Sequence, residues 1–220
     1  MSLSAAEQRN KVVQLMMSLN GKNTYSQSSR YRLRVDSGYG DGSSTVQYVY
    51  KKVTGMDPGS YTVAQINSKW GVDVDVATDG RYAPDEKKLC PGDLLFFRGT
   101  DTSRPYSVGH VEMYIGDGKI MGHGYGKGPT VKTMVAYCKS KNAQGRGYIK
   151  ARRFIQRDIN DKVSSQLIGR LQVALNAEGY RDKNKKKLVV DKKAGTLTLS
   201  ACPMLQKGKS SSIVSLCKRV

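Results

Sequence analysis

Apolar side chains recur at helical spacing in two stretches of the first quarter of the chain. Over residues 4–19, Val12, Leu15, Met16 and Leu19 share one face, and Ser4 and Glu7 have the spacing of a capping box. A Gly-, Asn-, Ser- and Tyr-rich interval over 20–41 reads as loop. From Ser43 to Thr54 the helical pattern returns with Val46, Val49, Tyr50 and Val53; Asp41 or Ser43 supplies a cap and Gly55 a stop. Trp70, in the polar stretch that follows, reads as a core residue.

The period then shortens to that of strands. Leu94–Phe97, after the Pro91-Gly92 turn signal, is a short continuous apolar run, as a buried strand requires. Val111, Met113 and Ile115 alternate with His110, Glu112 and Tyr114, and Asp117-Gly118 is a type I′ hairpin signal. "GYIKARRFI" (147–155) reads as a last strand. Beyond a polar linker at 156–163, Leu167, Leu171, Val173, Ala174 and Leu175 predict a helix opened by Ser164 or Ser165. A Lys-rich loop (181–187) and apolar pieces around Leu197–Leu199 and Ile213–Leu216 complete a small three-helix unit. The organisation expected is 1–155, a linker at 156–163, and 164–220.

The hairpin signal carries a geometric consequence. If Asp117 and Gly118 alone form the loop, residue 116 pairs with 119, 115 with 120 and 112 with 123. Cross-strand partners face the same side, so His123 would lie opposite Glu112, on the polar face that carries His110 and diagonal to it. The chain has 2 histidines, and this register gathers both.

Charge adds a second theme. The formal net charge is +19, with 37 Lys and Arg against 18 Asp and Glu. Residues 1–150 hold 21 basic and 13 acidic side chains, a net of +8, and residues 151–220 hold 16 and 5, a net of +11. The tail is the more basic part per residue, which favours a polyanionic partner. No recognition motif or aromatic–basic interleaving accompanies the charge, so nucleic acid is not the expected partner. No apolar run approaches the ~18 residues of a membrane span, and the first residues lack the apolar core of a secretory signal. Cys90, Cys138, Cys202 and Cys217 have no metal-ligand spacing, so neither a metal nor another cofactor is expected, and the thiols read as reduced.

Four blocks in order, "GYGDGSSTVQYVYKKVTG", "PGDLLFF", "VGHVEMYIGDGKIMGHG" and "GYIKARRFI", resemble the NlpC-type cysteine peptidases, papain-like hydrolases of bacterial cell walls. The resemblance spans about residues 4–155 and is nearest in flavour to bacteriophage endolysins. It implies an α+β papain-like fold, with a catalytic helix packed on an antiparallel sheet. It implies a peptidoglycan hydrolase, an endopeptidase or amidase acting on the stem peptide, with no cofactor. In that family the helix opens Asp-Cys-Ser, the cysteine is the nucleophile, a strand histidine is the base, and a polar residue on the next strand orients it. Carried over, Asp41 and Ser43 match the flanking residues, His110 the base and His123 the orienting residue. Tyr39 stands just before, as a candidate substrate contact with Asp41 and Ser43. Gly42 occupies the cysteine position.

Glycine has no side chain, so no acyl-enzyme can form through residue 42, and the chain as written is expected to be inactive. Ser43 and Ser44 read as caps rather than substitutes. Either a cysteine has been replaced, deliberately or recently, or the protein has lost its nucleophile and now only binds. The C-terminal stretch is similar to the peptidoglycan-binding-like three-helix module, through Leu171-Gln172, Leu175-Asn176, Gly179-Tyr180 and Val190-Asp191. It departs from that pattern at Lys193 and Thr196. The Lys run at 183–187 is either a solvated loop or an adhesion patch for anionic wall polymers. The expected place of action is the bacterial wall, reached through a phage pore or by export with a leader since trimmed, and the alternative function is non-catalytic wall binding.

Overall fold

The computed structural model describes residues 5–156 and 165–190, with side chains given from 171 onward in the second segment. The chain divides into two compact units, Met1–Asp158 and Ile159–Val220. No helix among the described residues is long and apolar enough to cross a membrane.

Helix α1 (Ala5–Ser18) buries Ala5, Val12 and Met16. Strands β1 (Asn23–Tyr25) and β2 (Tyr39–Gly40) pair in parallel, so the interval expected to be loop holds a small sheet. Its hydrogen bonds account for the difference: the buried Asn23 side chain donates to the carbonyls of Val35 and Tyr39, an order that apolar periodicity does not encode.

Helix α2 (Gly42–Thr54) has both expected ends. Asp41 takes extended backbone angles, its carboxylate accepts from the Ser44 amide, and the Ser44 hydroxyl accepts from the Asp41 amide. Gly55, at φ 72°, closes the helix in the left-handed region that glycine enters without penalty. Val46, Val49 and Tyr50 are fully buried, each stabilising by about 1.5–3 kcal/mol or more, and the Tyr50 hydroxyl donates to the Gly92 carbonyl. Helix α3 (Thr62–Asn67) follows. Trp70, expected in the core, is 54% exposed: its neighbour Gly71 packs on Phe154 and the indole is left outside.

The main sheet contains β3 (Val72–Val76), β4 (Leu94–Arg98), β5 (Val108–Gly116), β6 (Lys119–Gly122), β8 (Thr130–Thr133) and β9 (Tyr148–Arg153), in the order β3-β9-β4-β5-β6-β8 and antiparallel throughout. The two-residue β7 (Lys127–Gly128) joins β1 instead. On one face Leu94, Phe96, Val111, Met113 and Met121 pack with the apolar sides of α1 and α2. On the other, Leu95, Phe97, Tyr114 and Ile120 pack with Met134 and Cys138 of α4 (Met134–Ala143). The polar-patterned face of β5 is therefore covered too.

The hairpin corrects an expectation. Asp117 and Gly118 both have positive φ (50° and 66°), and Gly116 pairs with Lys119, as a two-residue type I′ loop requires. Beyond that pair, Tyr114 faces Ile120 and Met113 faces Met121, so Ile115 is an extra residue on β5. One extra residue reverses the alternation. Gly122, not His123, comes opposite Glu112, and Ile115 and Ile120 do not share a face.

In the second unit α5 (Ser165–Ala177) starts at the expected serine. Leu171, Leu175 and Leu188 are buried, while Val173 is exposed. The Asn176 side chain binds both backbone groups of Leu188, and the buried Asp182 carboxylate accepts from the amides of Asn184 and Lys186, shaping the Lys-rich turn. Leu197–Leu199, Ile213–Leu216, Lys193 and Thr196 lie outside the described residues, as do Cys202 and Cys217.

Candidate active site

The N-terminus of α2 and the start of β5 meet at one cleft. A Cβ built on Gly42 would lie 3.3 Å from His110 Cε1, 3.4 Å from His110 Nδ1 and 3.3 Å from the Val111 carbonyl oxygen. Position 42 is the first residue of the helix, where unpaired backbone amides and the helix dipole favour negative charge. Two local features hold His110 there. Phe97 pairs with His110 but Arg98 with Val108, so Gly109 is looped out beside Gly99. These backbones cross so closely that a Cβ on Gly109 would come within 2.4 Å of the Gly99 Cα. The His110 ring also has Phe97 and Tyr137 as ring neighbours, with centroids at 6.5 and 6.4 Å.

The second nitrogen of His110 engages Glu112: Nε2 is 2.7 Å from Glu112 Oε1. Glu112 is fully buried, and Lys132 Nζ on β8 donates to both of its oxygens, at 2.8 and 3.0 Å. Burial alone would raise this carboxyl, but His110 and Lys132 outweigh it and hold the pKa below the usual glutamate range.

His123 is elsewhere than expected. It is buried against Gly128 and Tyr25, with Nδ1 3.4 Å from Thr45 Oγ1 of α2, and burial lowers its pKa. It still lines the cleft, but the register shift gives the His110 Nε2 contact to Glu112. Asp41 and Ser43 also line the cleft, tied to each other and to Arg32, whose guanidinium reaches Asp41 at 3.0 Å and Ser43 at 3.1 Å. Tyr39 does not line it; its ring packs on Tyr31 at 4.7 Å. The cleft, about 820 Å³, continues between Tyr25 and Tyr125 at one side and Lys141 and Arg146 at another.

No other described thiol fits a nucleophile. Cys138 is buried in α4, and burial with the nearby Glu112 charge pushes it up to about 12. Cys90 is not part of the cleft, and its amide serves Asp93. Among the described residues no three His, Cys, Asp or Glu side chains gather as a metal site requires. Sequence reasoning passed over Glu112, Lys132 and Arg32. The available signal was an acidic residue two positions from a histidine, inside a strand too apolar to leave it in water.

The NlpC/P60 family profile matches residues 27–147. No curated protein sequence matches the chain. Among solved structures, the NlpC/P60 domain of the peptidoglycan hydrolase SagA is 22% identical, covering 66% of this chain and 97% of its own, with a TM-score of 0.44. The peptidoglycan hydrolase RipB of Mycobacterium tuberculosis is 20% identical over 69% of this chain and 67% of its own, with a TM-score of 0.42. NlpC2 of Trichomonas vaginalis is 19% identical over 70% of this chain and 48% of its own, with a TM-score of 0.46, so this chain spans about half of that protein.

Proposed function

Because this chain belongs to the NlpC/P60 family, we propose that its cleft is built to cleave an amide of the peptidoglycan stem peptide, with residue 42 as the nucleophile position, and that with Gly42 it holds this substrate without cutting it. The observation that carries the reading is the placement of a Gly42 Cβ at 3.3–3.4 Å from the His110 imidazole, at the first turn of α2. Those contacts, and the one to the Val111 carbonyl at 3.3 Å, are tight by a few tenths of an ångström, well short of a clash. A cysteine there would direct its sulfur to His110 Nδ1.

The chemistry of that cysteine form follows from the groups present. The helix terminus and a protonated His110 stabilise the thiolate. The sulfur's lone pair forms a bond to the amide carbonyl carbon, and the C=O π pair moves onto the carbonyl oxygen. The imidazolium then protonates the leaving amine as the C–N bond breaks, leaving a thioester and a neutral ring. His110 finally takes a proton from water as the water oxygen bonds to the thioester carbon, and the C–S bond then breaks, releasing the carboxylic acid and restoring the thiolate beside a protonated His110. Gly42 removes only the first participant. The role would be endolysin-like lysis of a bacterial wall, helped by the cationic second unit.

The test is digestion of purified walls. Gly42→Cys is expected to release new amino groups and soluble fragments, and the Gly42 chain none. A folded Gly42→Cys protein that leaves walls of several species intact contradicts the proposal. The second reading, a non-catalytic wall-binding protein that uses the basic tail and the vestigial cleft, is favoured by Gly42 itself and by the exposed Lys185, Lys186 and Lys187. It predicts equal wall binding with Gly42 or a cysteine and no gain of activity.

A further inference from the structure

Building on that reading of the site, we infer that Glu112 is the residue that positions His110: it accepts a hydrogen bond from the Nε2–H group, leaving Nδ1 as the free base that faces residue 42. The geometry leaves little alternative. The two ring nitrogens point apart, Nδ1 3.4 Å from a Gly42 Cβ and Nε2 2.7 Å from Glu112 Oε1. An ionised carboxylate only accepts hydrogen bonds. The proton between Nε2 and Oε1 therefore belongs to the ring, and in the neutral imidazole Nδ1 must carry the lone pair. A base toward the nucleophile and a donor toward its support is the tautomer that proton transfer at position 42 needs.

Glu112 is kept ionised and fixed by its surroundings. Lys132 from β8 donates to both carboxylate oxygens and to the Gly122 carbonyl, the latter at 3.0 Å. The Lys132 ammonium also lies over the Tyr137 ring at 5.3 Å, and the Lys141 ammonium lies over the same ring at the same distance. Gly122 provides the room. A Cβ there would come 2.6 Å from the Glu112 carboxyl carbon and from Oε2, closer than real side chains approach. The acidic residue on β5, the glycine opposite it on β6 and the lysine on β8 thus form one device across three adjacent strands. The extra residue at Ile115 brings the glycine, rather than His123, to this position.

The test starts with the unsubstituted chain, because its 2 histidines make the imidazole signals assignable with a single His123→Gln control. Long-range 1H–15N spectra above the titration of His110 should show the Nε2–H tautomer. In the Gly42→Cys background, Glu112→Gln should reduce kcat by about 10²-fold or more, while KM moves little. An Nδ1–H tautomer in the unsubstituted chain overturns the inference, and so does an unchanged kcat in a folded Gly42→Cys protein that also carries Glu112→Gln. Should that variant fail to fold, the tautomer decides alone. Absence of wall digestion by Gly42→Cys counts against the hydrolase reading, and leaves the tautomer to judge Glu112.

Discussion

At residue 42 the difference between a hydrolase and a binder is one side chain. A Cβ at this position meets the His110 ring and the Val111 carbonyl at 3.3 Å, only a few tenths of an ångström too near, whereas a Cβ at Gly122 meets the buried Glu112 carboxylate at 2.6 Å, held in place by Lys132. Gly42→Cys should therefore fold with little loss. Gly122→Ala should destabilise the first unit by about 1–3 kcal/mol, as overpacking does, and displace the support of His110; urea denaturation of both variants checks the contrast. The resemblance to NlpC-type peptidases singled out Gly42 and His110 from their places in quoted blocks, and the fold brings these two positions side by side. The orienting contact was not legible. It depends on whether Ile115 is counted into the ladder, and a two-residue turn fixes the loop without fixing the bulge that follows it.

At the scale of elements, α2 explains why position 42 is pre-arranged. Its Asp41 cap, Ser44 counter-cap and Gly55 stop define where the first helical residue falls, while Val46, Val49 and Tyr50 dock it on the sheet. Asp41→Ala should cost about 1–2 kcal/mol by loss of the cap, seen as a lower urea midpoint. It also deprives Arg32 of its carboxylate partner at the cleft wall. Both ends of α2 were readable in advance, as were the buried run of β4 and the position of β9, because caps and apolar periods are short-range signals. The small sheet of β1, β2 and β7 was not: its strands have two or three residues, and side-chain hydrogen bonds such as those of Asn23 hold it together. Trp70 was misjudged because residue type alone does not say which neighbour, here Phe154, fills the core.

For the whole molecule, charge governs two behaviours. Glu112 and Asp75 both have pKa values below the usual carboxyl range, where partners outweigh the effect of burial: His110 and Lys132 for one, Arg81, Tyr148 and Lys88 for the other. A depressed folded pKa gives stability that is complete above the unfolded value, ~4, and is lost as pH falls through the folded value. Asp93, raised by its burial, acts in the opposite sense. The melting temperature should thus hold from pH 7 to about 5 and drop toward pH 3, with a smaller drop in Glu112→Gln. The net charge of +19 should make wall adhesion weaken steeply with salt, because exposed charges are screened beyond about 8 Å at physiological ionic strength; a pull-down across a salt series measures it. What joins these scales is the meeting of the α2 terminus with His110, residues far apart in the chain. It is read most directly from site-resolved alkylation of Gly42→Cys as a function of pH, followed by mass spectrometry. The account predicts a residue-42 thiol that titrates well below the ordinary ~8.5 and returns toward it when His110 is also replaced by Ala. A thiol that titrates near ~8.5 whether or not His110 is present would contradict it.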